Sequence, residues 1–102
     1  MIVDTFRQQP NESRQRTLDY SRWLKTGETL ISVTTFCEKV FGDSDDTSNP
    51  FAITGAVVAS GTQITYFAEK GADGNNYKAT FMAVTSIPQD REDEVVFRIR
   101  ED

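Results

Sequence analysis

Apolar and polar residues alternate with period two along much of this chain, most clearly in its second half. Between Gln63 and Glu69, residues Ile64, Tyr66 and Ala68 share one face. A tight turn rich in Gly, Asp and Asn then leads into a strand whose first inward residue is Tyr77, followed on the same face by Ala79, Phe81 and Ala83. The last segment, Glu92 to Arg100, places Val95, Phe97 and Ile99 inside and Val96, Arg98 and Arg100 outside. Alternation of this kind marks strands with one buried face. Thr29 to Lys39 predicts the longest strand, with Ile31, Val33, Thr35 and Cys37 on one side and Ser32, Thr34 and Glu38 on the other; its β-branched density supports this. Arg16 to Tyr20 predicts a first strand with Leu18 and Tyr20 inward. Phe51 to Ile53 and Ala56 to Val58 predict a strand broken near Gly55. No window carries a helical period, and no internal repeat is present.

Turn formers separate these segments at Lys25-Thr26-Gly27-Glu28, Gly42 to Pro50, Ser60-Gly61 and Ile87-Pro88-Gln89-Asp90. That spacing is close to what an all-β sandwich needs. A tyrosine entering a late strand directly after a turn is how immunoglobulin-like sandwiches tie one corner, through a bond from the phenol to the backbone. The expected fold is therefore an all-β, immunoglobulin-like antiparallel sandwich of six or seven strands. Its core is expected to hold Trp23, Ile31, Val33, Ile64, Tyr77, Phe81, Phe97 and Ile99, with the turn Ser21 to Leu24 plugging one end. The leader, residues 1–13, has only Ile2, Val3 and Phe6 as apolar anchors, and Pro10 forbids a regular helix. It is expected to be an N-terminal arm outside a sandwich domain of residues 14–102. Two positions stay open for it: docking on a neighbour with Phe6 as anchor, or lying across its own sheet as an edge strand.

Composition narrows the class. A length of 102 residues suits one domain with its own core. The net charge of −5 argues against nucleic acid, which calls for a basic surface. The single cysteine, Cys37, allows no internal disulfide and favours an intracellular origin. With no apolar h-region and no run long enough to cross a bilayer, the chain is expected to be a soluble protein made in the cytoplasm, without a membrane partner.

Candidate chemistry is sparse. There is no histidine, hence neither the commonest general base nor the commonest transition-metal ligand. Cys37, on the apolar face of a β-branched strand, reads as a buried inert thiol. Glu92, Asp93 and Glu94 read as a solvated edge rather than an acid/base pair. No enzyme activity and no cofactor are expected. The acidic loop offers Asp43, Asp45 and Asp46 as weak calcium candidates, but an EF-hand's glycine and distal glutamate are replaced by Ser48 and Thr54. Trp23 could stack on a sugar, although its neighbours Tyr20 and Leu24 favour a core position.

Three stretches, DYSRWLKTGETLISVTTFCEK, FAITGAVVASGTQITYFAEKGADGNNYKATFMAVTS and EVVFRIRED, resemble a group of small proteins encoded among the structural genes of tailed bacteriophages. The matching positions are Asp19, Tyr20, Ser21, Trp23, Leu24, Gly27, Glu28, Thr29 and Leu30, then Ile64, Thr65, Gly71, Gly74 and Tyr77. The likeness spans about residues 14–100, and the acidic loop 43–49 falls outside the shared pattern. The resemblance implies an immunoglobulin-like virion structural protein of the fibre–tail adaptor kind. Its implied partners are a tail adaptor or connector, the tail fibre and copies of itself in a ring. It would be a virion component made in the host bacterial cytoplasm. The residues expected to dock are Ile2, Val3, Phe6, Val96, Arg98 and Arg100. The competing readings are a free binding module for a sugar or a calcium-dependent ligand, and a head-decoration protein.

Overall fold

The computed structural model describes residues 2–101; Met1 and Asp102, at the outer ends of the expected arm and domain, lie outside the described residues. Seven strands form in chain order: β1 (Ile2–Gln8), β2 (Ser13–Asp19), β3 (Leu30–Phe41), β4 (Ala52–Ala59), β5 (Gln63–Glu69), β6 (Asn76–Thr85) and β7 (Asp90–Ile99). They make two sheets, one in the order β1-β7-β6-β3 and the other in the order β2-β5-β4. Every pairing is antiparallel except β1 with β7, which is parallel. With β2, β5 and β4 facing β7, β6 and β3, the layout is that of an immunoglobulin-like sandwich.

Inward residues of both sheets meet in one core. Ile64, Tyr66 and Ala68 of β5 face Tyr77, Ala79, Phe81 and Ala83 of β6 and Val95, Phe97 and Ile99 of β7, all buried. Burial of this row supplies most of the driving force, because each large side chain removed from water contributes about 1.5–3 kcal/mol. The hairpin from β4 to β5 turns at Ser60 and Gly61, whose φ angles of 55° and 72° suit the right-handed twist of paired strands. The break near Gly55 is a bulge, where the register of β4 slips between Thr54 and Val57.

Two expected core residues are elsewhere. Ile31 is 60% exposed, since a bulge between Leu30 and Ser32 inserts one residue and shifts the alternation. Leu30 takes the buried place, and Val33, Thr35 and Cys37 keep a half-buried inward row. Trp23 is 37% exposed; the turn above it seats Leu24 against the core instead. Asp93 also departs from expectation. It shares parity with Val95 and Phe97 and is 1% exposed, so it is a buried carboxylate and not part of a solvated edge.

A second buried carboxylate, Glu28, ties its own turn to the one between β6 and β7. Glu28 accepts bonds from the Lys25 N–H (2.9 Å), the Thr85 hydroxyl and the Gln89 side-chain amide (3.3 Å). The hydroxyl first, and then the backbone N–H, hold its carboxyl below the ordinary value of 4.5. A depressed folded value means this stabilisation is complete above 4.5 and fades as pH falls through the folded value. The melting-temperature gap between wild type and Glu28→Gln should therefore be widest near neutrality and narrow as the pH is taken from neutrality to below 4.5. A gap that stays constant across that range would show that Glu28 acts through shape alone.

Candidate functional site

The β1–β7 pairing gathers every residue expected to dock onto one sheet margin. In register, Ile2 lies opposite Glu94, Thr5 opposite Val96, Phe6 opposite Phe97 and Arg7 opposite Arg98. Of the two positions open to the leader, the structure has the edge strand on its own sheet. Three hydrophobic and three outer-face candidates thus become neighbours, but they do not share one fate. Ile2 and Val3 are exposed, as is Arg98, and Val96 is half-buried. Phe6 is turned inward: its ring centroid sits 5.6 Å from that of Phe97, and the Arg16 guanidinium covers it at 3.8 Å. Arg100 is engaged within the chain, donating to the carbonyls of Asn75 (3.1 Å) and Ile99 (2.7 Å) and to Asn76 Oδ1 (3.0 Å). The accessible part of this margin is therefore Ile2, Val3, Val96 and Arg98.

The acidic loop is built into the tyrosine corner. The Tyr77 hydroxyl accepts from the Ala72 N–H (3.3 Å) and from Asn75 Nδ2 (3.0 Å), and donates to Asp46 Oδ2 (2.8 Å). Burial pushes the phenol above its ordinary value. Asn75 is fully buried and binds Ser44 twice, accepting from its N–H and donating to its carbonyl, each at 3.0 Å. Asn49 Nδ2 bridges the Pro10 and Gly71 carbonyls at 2.6 and 2.9 Å. Gly71 has φ +110°, and a Cβ there would stand 2.7 Å from Ile99 Cγ1, so this tight approach of loop to β7 requires glycine. Asp45 meanwhile accepts from the Thr47 N–H and hydroxyl, at 3.0 and 2.9 Å. Asp45 and Asp46 thus act as acceptors within the fold. Among the described residues no group of three acidic or cysteine side chains is placed to hold a metal ion.

Asn75→Ala removes three of these bonds and leaves the Ser44 N–H and carbonyl without their partner. A loss of about 2–4 kcal/mol is expected, because each buried group left unpaired costs about 1–3 kcal/mol. Chemical denaturation measures it, and a loss below about 1 kcal/mol would mean water replaces the amide freely.

Sequence reasoning passed over an apolar strip on the opposite margin. Phe36 is 54% exposed on the outer face of β3, next to the exposed Met82 and Val84 of β6. Register places Thr34 opposite Met82, Ser32 opposite Val84 and Thr80 opposite Phe36, so apolar and hydroxyl side chains pair across the two strands. Lys78, paired with Glu38 (3.3 Å) and Glu94 (3.0 Å), borders it. The signal was available, since Phe36 has the parity of Thr34 and Glu38.

Between β1 and β2 the sandwich leaves a cleft of about 370 Å³, walled by Asp4, Asp19, Tyr20, Trp23, Arg91 and Asp93 among others. Arg91 donates from Nε to Asp93 Oδ2 (2.8 Å), and its guanidinium lies 4.3 Å from the centre of the Trp23 ring. Asp93 Oδ1 and the Tyr20 hydroxyl are buried without a hydrogen-bond partner. Burial, and then the Asp93 charge, push the Tyr20 phenol well above its ordinary value.

No curated protein matches this chain. The family described as the podophage GP4 fiber-tail adaptor protein gp77 matches residues 8–100, covering both sheets from the end of β1 through β7 and nearly all of the 102 residues. That coverage settles the kinship suggested by Asp19-Tyr20-Ser21, Trp23-Leu24 and the Gly71–Tyr77 corner: the chain belongs to the podophage fibre–tail adaptor family.

Proposed function

We propose that this chain is a non-catalytic virion protein that links the tail or connector ring of a bacteriophage to its fibres. The family match over residues 8–100 carries the reading. The geometry supports it, because an adaptor must present two faces. The exposed Ile2 and Val3 on β1 and the exposed Phe36 on β3 lie on the two edge strands of one four-stranded sheet. Three strand spacings, about 14 Å, separate those edges. Copies that join one edge to the other head to tail close into a ring when the rotation per step allows it. The acidic surface is consistent with protein partners and gives no footing for nucleic acid. Synthesis in the host bacterial cytoplasm and incorporation into the virion complete the reading. A calcium-dependent binding module fits less well, since Asp45 and Asp46 already serve the loop and the tyrosine corner.

The test is a phage carrying a stop codon early in this gene. Its particles should contain heads and tail stubs but lack fibres in electron micrographs, and should fail to adsorb. Particles that keep their fibres would overturn the adaptor role, and particles without intact heads would point to head decoration instead.

A further inference from the structure

We propose that the cleft between β1 and β2 receives an arginine side chain of a neighbouring protein, anchored on Asp93 and flanked by Trp23. Two neighbouring groups, whose side chains face one another, point to an occupant. Asp93 is almost wholly buried, yet only Oδ2 has a partner; Oδ1 has none. The Tyr20 hydroxyl walls the same cleft beside Asp93 and is likewise buried with no closely placed partner. Buried polar groups left without partners are rare in folded chains, because each one costs free energy that a bound donor recovers.

Charge selects the donor. Three carboxylates, Asp4, Asp19 and Asp93, face two guanidiniums, Arg22 and Arg91, and Arg91 is already committed to Oδ2 and the Trp23 ring. Asp4 and Asp19 accept locally, from the N–H of Thr5 and of Ser21 at 2.9 Å, and form the exposed acidic rim of the cleft. A guanidinium matches this arrangement better than an ammonium or a sugar. Its fork of N–H donors can engage a carboxylate and a phenol together, and its flat face stacks on indole. The half-exposed Trp23 would then be a wall of the site and not a failed core residue.

The inference rests on the adaptor reading only in taking the donor to be a protein side chain, and it is tested on the isolated chain. N-acetyl-arginine amide is titrated into the 15N-labelled protein, with the neutral isostere N-acetyl-citrulline amide and glucose as controls. The indole N–H of Trp23, the single tryptophan, and the amides of Tyr20 and Asp93 report on the cleft. Saturable shifts at these signals, with a dissociation constant in roughly the millimolar range, are expected for the arginine probe. The citrulline probe, and the arginine probe on Asp93→Asn, should bind at least about tenfold more weakly. If Asp93→Asn does not fold, the double variant Asp4→Asn/Asp19→Asn, on the exposed rim, should weaken binding about threefold. Absence of localised shifts, an equal response to citrulline or glucose, or unchanged affinity in the variants would overturn the proposal. In that case the Tyr20 hydroxyl and Asp93 satisfy one another internally, and the adaptor role stands or falls on the stop-codon particles alone.

Discussion

Replacing Phe97 with alanine is expected to destabilise the chain by about 3–5 kcal/mol, the range for a large aromatic removed from a packed core. Phe97 is fully buried near the C-terminal end of β7, the strand flanked by both β1 and β6. Its ring contacts those of Phe6 (5.6 Å), Phe51 (5.2 Å) and Tyr66 (6.5 Å), so it joins the edge strand, the far loop and the opposing sheet. Phe51 in turn stacks on Tyr77 at 4.8 Å, which carries the effect to the tyrosine corner. Collapse around the missing ring is limited because its neighbours are themselves bulky and held by strand pairing. For a domain of this size the loss corresponds to roughly 12–40 °C in melting temperature, at about 4–8 °C per kcal/mol. A shift under about 5 °C would place Phe97 outside the structural centre, whatever its burial. Phe81→Ala is a useful control. It is equally buried but touches the Tyr66 ring at 4.7 Å without reaching the loop or β1.

Which parts of this structure could be read in advance follows from where period-two alternation is interrupted. β5 matches its expected span, and β6 and β7 keep their expected inward rows, because nothing breaks their parity. In β3 a single inserted residue at the Leu30–Ser32 bulge sends Ile31 outward, and no local signal marks it, since both phases offer β-branched side chains. The tyrosine corner was legible from Tyr77 and its turn, whereas its link to Asp46 joins residues 31 positions apart and is a tertiary event. Asp93 lay within reach of sequence reasoning: it has the parity of Val95, Phe97 and Ile99, and the acidic run around it masked that parity. The apolar neighbours of Trp23 point to a core position, whereas the Arg91 guanidinium that lies over its ring comes from a strand near the far end of the chain and leaves no local signal. The docking margin was visible as a set of residues. Its assembly was not, because the partner of β1 is about ninety residues away and the strand itself is mostly polar.

Deleting residues 2–8 is expected to cost the isolated chain at least about 3 kcal/mol, or more than about 10 °C in melting temperature, and not merely a docking arm. The deletion strips β7 of its parallel partner along the registers from Ile2–Glu94 to Gln8–Ile99. It also removes the Phe6 ring from Phe97 and from the Arg16 guanidinium, which would keep only the more distant Phe97 ring at 5.9 Å. Gln8 is lost too; it is fully buried, donates from Nε2 to the Lys70 carbonyl (3.1 Å), and its own carbonyl accepts from the Arg100 N–H (3.0 Å). Unpaired backbone on β7 would be newly open to water or to another chain, so some self-association of the truncated protein should accompany the loss. The contrasting substitution is Ile2→Ser with Val3→Ser, which keeps the backbone pairing and changes only exposed side chains. It should leave the melting temperature within about 3 °C, since surface changes away from special features stay within about 0.5 kcal/mol. Under the adaptor reading, the same double variant should impair incorporation into particles. A truncated chain that melts like the full one would show that β1 is a detachable arm whose binding place is a neighbour. A double serine variant that melts normally and assembles normally would move the contact surface to the Phe36 strip across the sheet.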